Sequence, residues 1–160
     1  MNHSDEITEK FKSLGSVKVK EIMSTDIITL NEDDEFLDFI AQIKDKGYFG
    51  FPVVNKYNEI VGIITLSDLL KLILFHGSRA AKMIELESFT GISSVRSVMS
   101  THPLTLAPED TIDDAAAVMA EYGIQSIPVV EERTVVGIIC KKDILNKIFE
   151  NLDDLRILKG

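Results

Sequence analysis

Several things are scarce in this sequence. Its 160 residues hold one cysteine, Cys140, and no tryptophan. A single thiol excludes an internal disulfide framework and a cysteine-rich zinc site. It fits a reducing, cytoplasmic setting. No run of about 18 apolar residues occurs, so no membrane-spanning helix is encoded. The longest greasy stretch, Leu69 to Phe75, is short and carries Lys71. The first ten residues include Asp5, Glu6 and Glu9 and have no apolar core, unlike a secretory signal. Basic residues are outnumbered, 17 against 26 acidic, for a formal charge of −9. With no dense basic run, nucleic acid is disfavoured as a partner. The histidines His3, His76 and His102 show no metal-ligand spacing, and His76 and His102 read as a helix-end and a loop residue. There is no glycine-rich phosphate loop, no nucleophile elbow and no assignable Ser/His/Asp triad. The expectation is a protein that is not an enzyme and needs no metal or obligatory cofactor.

What is present is an ordinary globular composition, 45% hydrophobic and 27% charged. A chain of this length buries roughly 68–70% of its extended surface, enough for one domain or two small ones sharing a core. It is also duplicated. Met23-Ser24-Thr25 returns as Met99-Ser100-Thr101, and Thr29-Leu30 as Thr105-Leu106. Pro52-Val53-Val54 returns as Pro128-Val129-Val130, and Val61-Gly62-Ile63-Ile64 as Val136-Gly137-Ile138-Ile139. Asp68 returns as Asp143, and one deletion falls near Tyr57 to Glu59. The period exceeds that of solenoids, so each copy is a small folding unit and the two suggest a pseudo-two-fold pair. The boundaries are an N-terminal helix or tail over 1–17, repeats over 18–76 and 95–151, a linker over 77–94 and a C-terminal tail over 152–160.

Each repeat predicts the order β-α-β-β-α, an α/β (α+β) fold. In the first, Ile27 to Leu30 is a β-branched strand. Glu32-Asp33-Asp34 offers carboxylates to a helix start. Phe36, Phe39, Ile40 and Ile43 recur at helical spacing, predicting a helix over 34–46 that Gly47 closes in the left-handed region. Phe51 to Val54 and Ile60 to Thr65 are strands about a turn at Tyr57-Asn58, the second apolar on both faces and so buried. Ser67 caps a last helix that holds Asp68 in its first turn and runs to about Phe75. The second repeat predicts strands at 104–106, 127–130 and 135–140, a helix within 108–122 closed by Gly123, and a last helix over 142–151. Ala115, Ala116, Ala117 and Ala120 on that first helix favour close packing between halves or subunits. Ile7, Phe11 and Leu14 give the N-terminal segment one apolar face, fit to dock on the pair or a neighbour. Arg79 to Glu87 predicts a further helix and Thr90 to Ser94 a loop.

The ordered set Val-x-x-Ile/Val-Met-Ser-Thr, Thr-Leu, Gly-x-x-x-x-Pro-Val-Val and Val-Gly-Ile-Ile-x-x-x-Asp, found twice over about Lys18 to Asn151, resembles a tandem pair of cystathionine β-synthase (CBS) domains. The resemblance implies a regulatory module that binds an adenosine-containing ligand (AMP, ADP, ATP or S-adenosylmethionine) in clefts between the repeats. It implies a homodimer meeting helix to helix and a partner protein regulated in trans. For one cleft it implies Thr65, Ser67 and Asp68, with Asp68 on the ribose hydroxyls and Thr65, Ser67 and the helix start toward a phosphate. Tyr48, Phe49, Gly50, Arg96, Ile124 and Gln125 would line it, Val95 adding a wall. For the other, weaker cleft it implies Asp143, Lys142, Cys140 and Ser126, with Lys18 and Lys20 alongside. There Cys140 stands where Thr65 does and Lys142 where Ser67 does; a thiol bonds poorly, and an ammonium supplies a point charge. Arg96, Lys18, Lys20 and Lys142 are the candidate phosphate cations. The competing reading of Ser67 and Asp68 is a plain helix cap, and of the whole chain a structural or dimerisation module with empty clefts.

Overall fold

A computed structural model of the chain describes residues 2–44, 46–47, 50–77 and 94–157. The helix expected over 79–87, most of the 90–94 loop, and Tyr48 and Phe49 lie outside the described residues. The fold is mixed α/β, in two compact units, neither continuous in sequence. One holds Ile27–Leu104 and Glu132–Val135, the other Met1–Asp26, Thr105–Glu131 and Val136–Gly160. Each repeat is thus grouped with the segment that leads into the other repeat.

In the first-repeat unit, β1 (Leu30–Asn31), α2 (Phe36–Ile43), β2 (Gly50–Val54), β3 (Ile60–Thr65) and α3 (Leu66–Gly77) follow in the expected order. The sheet runs β1-β2-β3-β4, where β4 is Ser100–Thr101 from the stretch ahead of repeat two. β1 is parallel to β2, β2 and β3 form an antiparallel hairpin, and β4 pairs antiparallel with Gly62 and Ile63 of β3. Leu30, Phe39, Ile43, Phe51, Val53, Ile64 and Val95 make the core. Phe39 stacks edge-on against Phe51, ring centroids 5.6 Å apart.

Over 27–47 three expectations fail. The strand expected over 27–30 is only the pair Leu30–Asn31. Helix α2 is shorter than 34–46, because short polar side chains capture the backbone ahead of it. Asn31 N–H donates to Asp34 Oδ2 at 2.9 Å and Asp33 N–H to Asn31 Oδ1 at 3.0 Å, so the acidic patch is a turn. At its far end, Lys44 is still in the right-handed region and Gly47 is not left-handed; among the described glycines Gly123 has the positive φ, 64°.

The second-repeat unit holds α1 (His3–Gly15), α4 (Ile112–Tyr122), β5 (Ser126–Glu131), β6 (Thr134–Cys140) and α5 (Lys141–Ile157). Its first strand shrinks to one parallel bridge, Leu106 to Val129, and Ser24 bridges Ile138 antiparallel. Those two bridges flank β5-β6 as β1 and β4 flank β2-β3. Helix α4 starts at Ile112 because Thr111 caps it, accepting from Asp114 N–H. Gly123 closes it as expected. Ala115 is buried in the core, while Ala116, Ala117 and Ala120 are exposed. Helix α5 continues through Ile157, past the expected end near 151. Leu14 of α1, Val19, Leu106, Ala115, Met119, Ile127, Val129 and Ile139 belong to this core. Ile7, Phe11, Leu14 and Ile148 line a hollow between α1 and α5.

The leading segments are held in matching ways. Val19 N–H donates to Asp110 O and Lys20 N–H to Pro108 O; Val95 and Arg96 donate to Asp34 O and Glu32 O. A Cβ on Gly62 would stand 2.7 Å from Met99 Sδ, and one on Gly137 2.5 Å from Met23 Sδ. Each glycine is therefore the seat of a methionine thioether.

Candidate functional site

The β3–α3 junction is built around Asp68, which is 9% exposed. Thr65 ends the strand and caps the helix. Its N–H donates to Asp68 Oδ2 at 2.8 Å and its hydroxyl to the same oxygen at 3.0 Å, while Asp68 N–H donates to Thr65 Oγ1 at 3.3 Å. The cap is thus Thr65 with Asp68 three residues on, and not Ser67, which is exposed. The second oxygen, Oδ1, accepts from Ser100 Oγ on β4 at 3.2 Å, and Lys71 Nζ stands 3.9 Å away. Gly50 is buried and pairs with Thr65 across the hairpin.

The β6–α5 junction repeats the frame with poorer chemistry. Cys140 N–H donates to Asp143 Oδ2 at 2.7 Å, but no hydroxyl stands at position 140. Ser126 is buried, and its Oγ lies 3.5 Å from Cys140 Sγ. Ser24, the counterpart of Ser100, turns its hydroxyl to Asp26 O at 3.5 Å. Burial raises the Cys140 thiol pKa, the Ser126 contact opposes this, and the Asp143 charge reinforces it. Lys142 is exposed, Ile124 half-buried and Gln125 exposed, its carbonyl accepting from Lys141 N–H at 2.8 Å.

Three of the cations proposed for phosphate are engaged by carboxylates. Arg96 pairs with Asp33 at 2.7 Å and Glu32 at 3.2 Å. Lys18 and Lys20 both bond Glu109, Lys20 at 2.6 Å. The pair holds the Glu109 carboxyl down at about 2, through hydrogen bonds from Lys18 and then Lys20, and raises the Lys20 ammonium in turn. No cluster of metal-ligating side chains occurs among the described residues.

Thr65, Asp68 and Gly50 therefore meet in one unit, and Cys140, Asp143 and Ser126 in the other. Sequence reasoning missed Ser100. Its signal is the Met-Ser-Thr motif near the start of each repeat, which the exchange of leading segments brings to the carboxylate of the opposite repeat.

A duplicated α/β unit with an acidic side chain at each last strand–helix junction defines a narrow class of protein. The chain belongs to the CBS domain family, whose model matches residues 19–75 and 95–150. Uncharacterized protein MJ1426 of Methanocaldococcus jannaschii is 30% identical over 152 residues, spanning 81% of this chain and 90% of that one. The A-adding tRNA nucleotidyltransferase of Aquifex aeolicus is 30% identical over 139 residues, 87% of this chain, but the chain spans only 15% of that protein. Among solved structures, CBSX2 in complex with AMP superposes with a TM-score of 0.71 at 21% identity, covering 84% of this chain and 97% of that one. The CBS domain pair of protein MJ0100, in complex with 5′-methylthioadenosine and S-adenosyl-L-methionine, gives 0.67 at 25% identity, covering 82% and 99%.

Proposed function

We propose that the chain is a non-catalytic regulatory module that binds an adenosine-containing ligand at Asp68 and signals to a partner protein in trans. The observation that carries this is the Asp68 carboxylate. It is sequestered and fixed through one oxygen, and among the described residues the other is met by a serine hydroxyl and a distant ammonium. A carboxylate oxygen accepts two hydrogen bonds, so Oδ1 retains capacity for a sugar hydroxyl. The AMP and S-adenosylmethionine complexes of CBSX2 and MJ0100 support the ligand class. The engagement of Arg96, Lys18 and Lys20 by carboxylates favours a ligand with one phosphate or none over ATP. The Asp143 junction, lacking the hydroxyl, is the weaker site. The Aquifex relative lends no activity, since the chain spans so little of it.

A homodimer belongs to the same reading. Leu37, Leu66 and Leu70 are exposed on α2 and α3, as are Leu145 and Phe149 on α5. No described helix is long and apolar enough to cross a membrane; the cytoplasm is the compartment we infer. The deciding experiment is a thermal-shift and calorimetric series with AMP, ADP, ATP and S-adenosylmethionine on the wild type and Asp68→Ala. A ligand at one hundred times its Kd adds about 2.7 kcal/mol, roughly 5–10 °C in Tm. The reading requires a shift with one of these that Asp68→Ala abolishes. No shift with any of them establishes the second reading, a structural or dimerisation module, which the completed Thr65–Asp68 cap favours. Sedimentation velocity tests the dimer.

A further inference from the structure

We infer that Ser100 is the second half of a reader for a vicinal diol, an inference that rests on Asp68 being the adenosine site. Thr65 consumes Oδ2 of Asp68 with two donors, so a ligand meets the carboxylate at Oδ1. There it finds Ser100 Oγ, 3.2 Å away and donating to Oδ1. A hydroxyl that spends its proton on the carboxylate presents only lone pairs to a newcomer. Asp68 Oδ1 and Ser100 Oγ therefore form two adjacent acceptors with a fixed polarity. One ribose hydroxyl donates to Oδ1 and its neighbour donates to Oγ. A 2′-deoxy or 3′-deoxy ring leaves one acceptor unanswered. Lys71 is exposed along its side chain and its ammonium stands 3.9 Å from Oδ1, beyond hydrogen-bond distance, so it leaves the second lone pair open.

Ser100 is placed for this by backbone. It pairs with Ile63 of β3 through β4, and its own carbonyl sits where a Cβ on Gly62 would come within 2.8 Å. The matching serine of the other repeat, Ser24, points its hydroxyl at Asp26 O. Diol reading is therefore a property of the Asp68 junction and not of the Asp143 junction, although both carry the Met-Ser-Thr segment.

The test is calorimetry with AMP, 2′-deoxy-AMP and 3′-deoxy-AMP on the wild type, Ser100→Ala, Ser100→Thr and Ser24→Ala. The wild type should bind AMP about tenfold more tightly than either deoxy analogue, the usual cost of a hydrogen-bonding group left unpaired. Ser100→Ala should lose about tenfold for AMP and lose discrimination against one analogue only, keeping it against the other, whose missing hydroxyl belongs to Asp68. Ser100→Thr should restore both ratios, and Ser24→Ala should leave them unchanged. A merely structural serine would lower all three affinities together and leave the ratios alone, which overturns the inference. So does a wild type that binds ribo and deoxy forms equally, a measurement that needs no variant to fold. A wild type that binds none of the three overturns this inference, and the adenosine reading falls with it only if ADP, ATP and S-adenosylmethionine also fail to shift Tm; AMP binding with unchanged ratios in Ser100→Ala overturns this one alone.

Discussion

Phe39, Ile43 and Phe51 in the first-repeat core have Ala115, Met119 and Ile127 at the matching positions of the second. The backbone register of the two sheets is the same: Leu30 pairs with Val53 as Leu106 does with Val129, and Ile63 with Ser100 as Ile138 does with Ser24. One core is therefore filled by aromatic rings from its own repeat. The other is under-filled by its repeat and completed by Leu14 of α1, which is 6% exposed. Gly15 lets α1 approach, since a Cβ there would run into the Asp113 carboxylate. The N-terminal helix is thus part of the second fold. The two copies share a hydrogen-bonded frame but divide the core volume differently between repeat and flanking helix, as expected when cores tolerate repacking that keeps total volume.

The largest expected effect breaks this comparison at its aromatic side. Phe39→Ala empties the centre of the first core and should cost about 3–5 kcal/mol, read as a fall in the denaturant midpoint. Leu14→Ala, in a segment outside both repeats, should cost about 2–4 kcal/mol by the same cavity argument. If α1 were an appendage, that cost would be near zero. Next come the methionine seats. Gly62→Ala places a Cβ 2.8 Å from Ser100 O, a backbone atom that cannot yield, besides the Met99 thioether. Gly137→Ala meets Ser24 O at 3.0 Å and a flexible methionine. Both should destabilise, by about 1–3 kcal/mol, with Gly62→Ala the worse. Equal losses would mean the thioethers and not the carbonyls set the limit.

The repeat arithmetic made the element order legible, because apolar periodicity and the Pro-Val-Val and Val-Gly-Ile-Ile runs are local signals. It also made Asp68 and Thr65 legible as a pair, since a cap at i and i+3 is local too. Which segment completes which sheet was not legible. Val19 and Val95 each look like the start of their own repeat, and nothing in either stretch reveals that its backbone donors go to carbonyls of the other. For the same reason Arg96, Lys18 and Lys20 read as free cations: their carboxylate partners lie 63 to 91 residues away along the chain. The acidic patch before α2 is ambiguous in sequence because Asp34 can serve a helix start or accept from Asn31 N–H, and composition does not choose between these.

Smaller effects sharpen the contrast at the two junctions. Thr65→Ala removes a cap and should cost about 1 kcal/mol. Cys140→Thr supplies the hydroxyl that the second junction lacks, and should recover part of that amount. A loss on Cys140→Thr would mean that the pocket holding the thiol, beside Ser126, has no room for a branched hydroxyl.

The smallest effect concerns the ion pairs, where stoichiometry is inverted between units. Arg96 serves two carboxylates, whereas Glu109 is served by two lysines. Glu109 titrates at about 2 instead of its ordinary 4.5. A carboxyl depressed in the folded state adds stability above its unfolded pKa, and that stability drains away as pH falls from about 4.5 toward 2. All three side chains are largely exposed, so the contribution is small and salt should erode it. Carbon-detected NMR should find the Glu109 midpoint far below that of an unpaired glutamate at low ionic strength. Lys18→Gln should move it back upward, because the Lys18 hydrogen bond is the largest single cause of the depression. A wild-type midpoint near 4.5 would mean that the lysines are free in solution, and the case against a triphosphate ligand would lose one of its two supports.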